Sequence, residues 1–164
     1  MKQYFILLLV IIAVITACSS SSDEAIKYND AIIAKQQEVV NLFNKLDSSF
    51  SDTLDFSFIQ FHQKLCNEIQ SQLKTLDTIK PFDNKDDFKN EYKKLLLVYK
   101  QVADSDYSKL IKIRSLPDSL YTDVQHNTFI HIWEQSSQKI QHAINDFILF
   151  QKKFANTYKF TLSE

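Results

Sequence analysis

Not one of the 164 residues is glycine, and only two are proline. Average usage of about 7% would put roughly a dozen glycines in a chain of this length. Glycine is the residue that takes left-handed backbone without a steric penalty. A phosphate-binding P-loop, a dinucleotide fingerprint and a Gly-x-Ser-x-Gly nucleophile elbow all depend on it, so none occurs here in its usual form. Tight two-residue hairpins also strongly prefer it. Helices do not need it: Ser, Asp, Asn and Pro connections can start and stop them. The zero therefore favours a plain helical fold and removes several enzyme classes.

The first 18 residues have the organisation of an export signal. Lys2 gives the positive start, and Tyr4 to Ile15 is an unbroken apolar run of 12 residues. At 1.5 Å per residue a helix of that run reaches only ~18 Å, short of a ~30 Å hydrocarbon core. A short apolar run after a basic start fits a cleaved signal better than a membrane span. Ile15-Thr16-Ala17-Cys18 then resembles the bacterial lipobox, which makes Cys18 the predicted lipidation site and the new N-terminus. Acyl chains there would hold the protein on a bilayer at roughly 0.8 kcal/mol per buried CH₂. The expected domain plan is a signal peptide over residues 1–17, a lipidated cysteine and polar tether over 18–24, and a helical domain over 25–164. Ser21-Ser22-Asp23-Glu24 also has capping-box spacing. The serines and acidic pair after Cys18 resemble surface-export signals of Bacteroidota lipoproteins. The expected location is the outer membrane, lipid-anchored, on the periplasmic face or at the cell surface.

From Cys18 onward the chain has 147 residues, the size of one domain able to bury about 68% of its unfolded surface. Loss of Lys2 takes the formal charge from −1 to −2. With no basic excess to meet phosphates, nucleic acid is not an expected partner. Cys66 is the one remaining thiol, beside Leu65 and Ile69, and is expected to be buried and inert.

Apolar spacing of three, four and seven runs through the whole body. It predicts helices over residues 23–46, 54–78, 85–114 and 119–158. The first stripe is Ile26, Ile33, Val40 and Phe43, widened by Ile32, Val39 and Leu46. The second is Phe58, Leu65, Ile69, Leu73 and Leu76, with His62 in one place. The third runs from Phe88 through Tyr92, Leu95, Tyr99, Val102 and Leu110 to Ile113, interrupted by Asp106. The fourth is Ile130, Trp133, Ile140, Ile144, Phe147, Phe154 and Tyr158, interrupted by Ser137 and Gln151. Breaks fall at residues 48–53, at Lys80-Pro81-Phe82-Asp83-Asn84, where Asn84 is the expected cap of the third helix, and at Pro117-Asp118. Four long helices with short joins predict an all-α, antiparallel up-down four-helix bundle behind the lipoprotein signal.

Tyr28-Asn29-Asp30-Ala31-Ile32-Ile33, the Pro81-Phe82 break before Phe88, and the ending Phe154-Ala155-Asn156-Thr157-Tyr158-Lys159-Phe160-Thr161-Leu162 resemble a group of small surface lipoproteins of Leptospira and Bacteroidota. That resemblance implies a location and an all-helical fold. It carries no activity over to these residues.

Chemistry is sparse. A di-iron bundle needs Glu-x-x-His on two helices. Three residues after Glu24, Glu38, Glu68, Glu91 and Glu134 come Lys27, Asn41, Ser71, Lys94 and Ser137, so the motif is absent. No zincin or c-type haem motif occurs. His131 and Glu134 share a helix face, and with His62 they are weak metal candidates against a reading as ordinary surface residues. Asn29, Gln36 and Gln151 fall on the apolar stripes. They are either polar layers that fix helix register or the lining of a small-ligand pocket. Phe56, Phe58 and Phe61 cannot all face one core, so one of them is expected to show at the end of the bundle. The sequence thus predicts a non-enzymatic, lipid-anchored envelope protein without a cofactor. Its expected partners are the membrane and another protein. The alternative is a carrier of a small ligand or metal.

Overall fold

The computed structural model describes residues 21–51 and 56–162. The signal, the lipobox and Cys18 lie outside the described residues, as does Leu54, the expected first residue of the second helix. Among the described residues all regular structure is helical, apart from a single bridge between Phe82 and Lys85.

Helix α1 spans Ser22–Ser49. The capping box predicted from Ser21 and Glu24 is closed in both directions, each bond 3.2 Å. The helix starts one residue before the expected 23, so Asp23 and Glu24, which the domain plan counted with the tether, lie in the first helical turn, where the two acids complement its positive end. The buried line is Ala25, Asn29, Ile32, Val39, Phe43 and Leu46. Ile26, Ile33 and Val40, expected at its centre, sit half-buried on its shoulder.

Helix α2 spans Ser57–Thr75 and tightens into a 3₁₀ turn at Leu76–Thr78. Phe58, Leu65, Ile69 and Leu76 are buried as predicted, but Gln72 rather than Leu73 completes the line. The connection that follows reverses at Asp83 and Asn84, both left-handed with φ of 51° and 58°. Phe82 and Lys85 exchange both backbone hydrogen bonds across them, at 3.1 and 2.9 Å. Two left-handed central residues are the signature of a type I′ turn, built here from Asp-Asn without glycine. Asn84 is thus spent in the turn and does not cap the next helix, which begins after Asp86.

The third rod is helix α3 (Asp87–Gln101), a π-helical segment (Val102–Tyr107) and helix α4 (Ser108–Arg114). The wider turn brings Val102, Ala103, Asp106 and Tyr107 all inward. Asp106 is therefore only 8% exposed, not turned to solvent. The last helix, α5, spans Asp123–Tyr158. Phe147 and Phe154 are buried as expected. Ile130 and Trp133 are not: they are 38% and 37% exposed at the flank of the helix, Trp133 turned toward α1, and Phe129 and Ile132 take the inner side. Ser136 is the buried serine of this helix, donating to the Ile132 carbonyl at 2.7 Å, while Ser137 is only half-buried. The helix stops at Lys159, left-handed at φ 58°, with the Phe160 amide returning to the Ala155 carbonyl.

Packing is most extensive between α1 and α2 and between α3 and α5, and lighter between α2 and α3 and between α1 and α5. The result is a bundle-like, all-helical fold around one apolar core. Ser22 Oγ donates to the Lys159 carbonyl at 3.3 Å, so the start of α1 and the end of α5 meet. No helix among the described residues is long and apolar enough to cross a membrane.

Candidate functional site

Two of the three predicted pocket residues meet. Gln151 Nε2 donates to Asn29 Oδ1 at 2.9 Å, and Asn29 donates on to Asp30 at 2.9 Å. The pair joins α1 to α5 beneath the Phe160-Thr161-Leu162 tail, with a groove on either side. One, about 280 Å³, runs over Ile26, Asn29 and Ile33; the other, about 600 Å³, runs over Ile148, Lys152 and Asn156. Both are open at the surface. Gln36 does not join them. It lies two turns along α1 against Tyr99, whose buried hydroxyl has no hydrogen bond of ordinary geometry. Burial pushes that hydroxyl up to about 12. The three polar stripe residues therefore line no common cavity.

The weak metal candidates are kept apart. His131 and Glu134 are exposed on α5. His62 sits on α2, its Nε2 2.9 Å from the Ala103 carbonyl. Among the described residues no group of three or more His, Cys, Asp or Glu is placed to hold a metal. Cys66, expected to be buried, is half-buried, with Sγ 3.5 Å from His62 Nε2. Burial and then the Asp104 charge raise its pKa, so the thiol stays protonated at neutral pH.

Three further polar clusters join the helices. Gln72 donates to the Lys35 carbonyl at 2.9 Å and to Glu68 at 2.7 Å, and accepts from the buried Tyr92 hydroxyl. Asp106 pairs with Lys139 on α5 at 2.6 Å. Asp47 accepts from Tyr107 at 2.8 Å and from Trp133 Nε1 at 3.1 Å. Desolvation still outweighs those two bonds and raises the Asp47 carboxyl. A signal for Gln72 existed: it stands in the 65-69-72-76 line, where a polar residue at a core place asks for partners. Nothing comparable marks Asp47, which follows the last apolar residue of its stripe.

Leu97 and Leu149 are exposed on α3 and α5, while three others of the most exposed apolar side chains, Phe56, Leu120 and Val124, belong to the end of the molecule away from Ser21. Phe50, Phe58 and Phe129 stack there, with Phe50 5.6 Å from Phe58 and 5.2 Å from Phe129. Phe56 beside them is 60% exposed, and Leu120 and Val124 are 57% and 69% exposed. Phe56 is the aromatic residue expected to show at the end of the bundle; Phe58 is buried and Phe61 half-buried.

No protein-family model, curated protein or solved structure matches the chain.

Proposed function

We propose that this is a lipid-anchored protein of the bacterial outer membrane, a non-enzymatic antiparallel up-down four-helix bundle that binds a protein partner at its membrane-distal end. The observation that carries the reading is the exposed set Phe56, Leu120 and Val124 at the end of the molecule away from Ser21. Exposed apolar side chains at one end of a domain are a common mark of an interaction surface. The lipobox sequence at Cys18 supports the anchor. The start of α1 at Ser22 supports a short tether, and the apolar end then points away from the bilayer. The resemblance to surface lipoproteins of Leptospira and Bacteroidota fits the same location.

Cys18→Ser should release the protein from sedimented membranes; unchanged retention would sink the anchor. A photo-crosslinker at Val124 in whole cells should capture a protein that one at Lys93, on the exposed face of α3, does not. Equal capture at both positions, or none at Val124, would remove the partner-binding reading. A second reading, a small-ligand carrier, rests on the Asn29–Gln151 bridge between the two grooves under the tail.

A further inference from the structure

Helix α5 carries on its solvent side a stripe that reads alike in both directions. Its positions follow a spacing of four and three in alternation, from Val124 to Leu149. Val124 and Leu149 close the two ends. Thr128 and Asn145 come next, then His131 and His142, with Gln135 and Gln138 innermost. The two members of each pair stand equally far from a midpoint between Ser136 and Ser137. All of these stripe residues are exposed. Val124 and Leu149, at 69% and 65%, are the most exposed large apolar residues among the described ones. No Asp, Glu, Lys or Arg stands on the stripe, in a chain where 24% of residues are of those types. It is therefore neither core nor the usual charged solvent face of a helix.

Spacing of four and three is the seam along which two helices pack. In a parallel pair each residue meets its own counterpart, so the order along the seam is unconstrained. An antiparallel pair with a two-fold axis needs an order that is the same in both directions, because each contact is then made twice. Crossed at the midpoint, Val124 meets Leu149 of the second copy, and every other position meets its mate. The apolar pairs seal the ends. Gln135, Gln138, His131 and His142 make no side-chain hydrogen bond among the described residues, so they are free to bond across. Two amides can each donate and accept, and so can two neutral imidazoles. Thr128 and Asn145 are already satisfied within the helix, by the Val124 carbonyl at 2.7 Å and by Gln141 at 2.9 Å. Lys139 beside the seam is held by Asp106 at 2.6 Å.

At 1.5 Å per residue the seam is ~38 Å long, and it is one helix, about 10–12 Å, wide. It covers roughly 400 Å² of each copy, about half of a standard interface, which suits a reversible pair. We propose that the solvent face of α5 binds a second copy of this chain as an antiparallel, two-fold symmetric pair. Because Ser22 lies by the end of α5, the two Ser22 ends point in opposite directions. The pair thus forms between copies reaching toward each other, not between copies standing side by side. It takes Val124 from the partner-binding surface but needs neither Phe56 nor Leu120, and it stands without that reading.

The test is analytical ultracentrifugation of the full chain in dodecyl maltoside at neutral pH. A reversible dimer with a midpoint of about 10–100 μM is expected. Leu149→Glu should weaken it about tenfold or more, and Phe56→Ser should leave it unchanged. His131→Lys/His142→Lys sets lysine against lysine twice and should also weaken it about tenfold or more. His131→Lys/His142→Glu sets lysine against glutamate only in the antiparallel pair, and should bring association back to within about threefold of the parent. A photo-crosslinker at Val124 should mark the second copy around Leu149. The assignment is overturned by no dimer up to about 1 mM, by parent-like association of Leu149→Glu, or by loss of association in Phe56→Ser. It is equally overturned if the lysine–glutamate variant associates no better than the double-lysine one, or if the crosslink falls around Val124 of the second copy.

Discussion

His62 is the residue whose role changed most between sequence and structure. On a stripe it reads as a filler or a ligand. In the fold its ring meets the Ala103 carbonyl, inside the π segment, where widening of the helix disturbs the regular backbone pairing. A half-buried carbonyl stripped of its partner costs roughly 1–3 kcal/mol. His62→Ala should therefore lower the urea midpoint by that amount of stability with an unchanged slope. Asp47 offers a pH test. Its carboxyl is raised above the ordinary 3.8 by burial, so the folded state keeps the proton to higher pH than the unfolded state does. The fold then loses stability as pH climbs from 3.8 through the folded value, and stays lower above it. Asp47→Asn, still able to accept from Tyr107 and Trp133, should flatten that slope and match or exceed the parent's melting temperature at pH 7. Fluorescence of Trp133, the one tryptophan, should lose its acid-range titration in the same variant. Polar residues of this kind were only partly legible. Asn29 and Gln151 announced themselves by breaking an apolar line, and so did Asp106. Asp47 did not, because its burial is imposed by Tyr107 and Trp133 from distant parts of the chain.

At the scale of elements, the helices follow from periodicity, but their rotation does not. In α1 the pairs Ala25/Ile26, Ile32/Ile33 and Val39/Val40 lie side by side on one apolar arc, and a broad arc fits either as centre. The neighbouring helices decide, and they chose the first of each pair. The same ambiguity set Ile130 and Trp133 at the flank of the buried face of α5 rather than at its centre. The π segment was visible only as a polar residue on the third stripe, since one extra residue per turn leaves no compositional mark. The stops are where the missing glycines are felt. Among the described residues, Asp83, Asn84 and Lys159 adopt left-handed backbone. Asp and Asn tolerate it; lysine bears a cost of about 1–2 kcal/mol. Lys159→Gly should recover part of this, about 0.5–1 kcal/mol after the added freedom of the unfolded chain, read as a higher melting temperature. Asn84→Gly should gain less.

The whole molecule was legible in outline. A chain with no glycine, two prolines and continuous helical spacing had little besides a helical body open to it, and helices are what formed. Its exposed apolar end was legible only through the Phe56, Phe58 and Phe61 set; that Leu120 and Val124 share that end depends on which ends of which helices adjoin. Phe56→Ser and Val124→Glu test that surface as a whole. Neither residue is packed in the core, so stability should move by no more than about 0.5 kcal/mol, while partner capture should be lost. Urea denaturation beside the crosslinking assay separates the two effects. The contact of Ser22 with the Lys159 carbonyl has an engineering consequence. Because the first turn of α1 and the stop of α5 touch, a few added residues can join them and the chain can be cut anew between α1 and α2. Such a circular permutant, given the same lipid signal, would stand on the membrane upside down. Phe56 and Val124 would then face the bilayer.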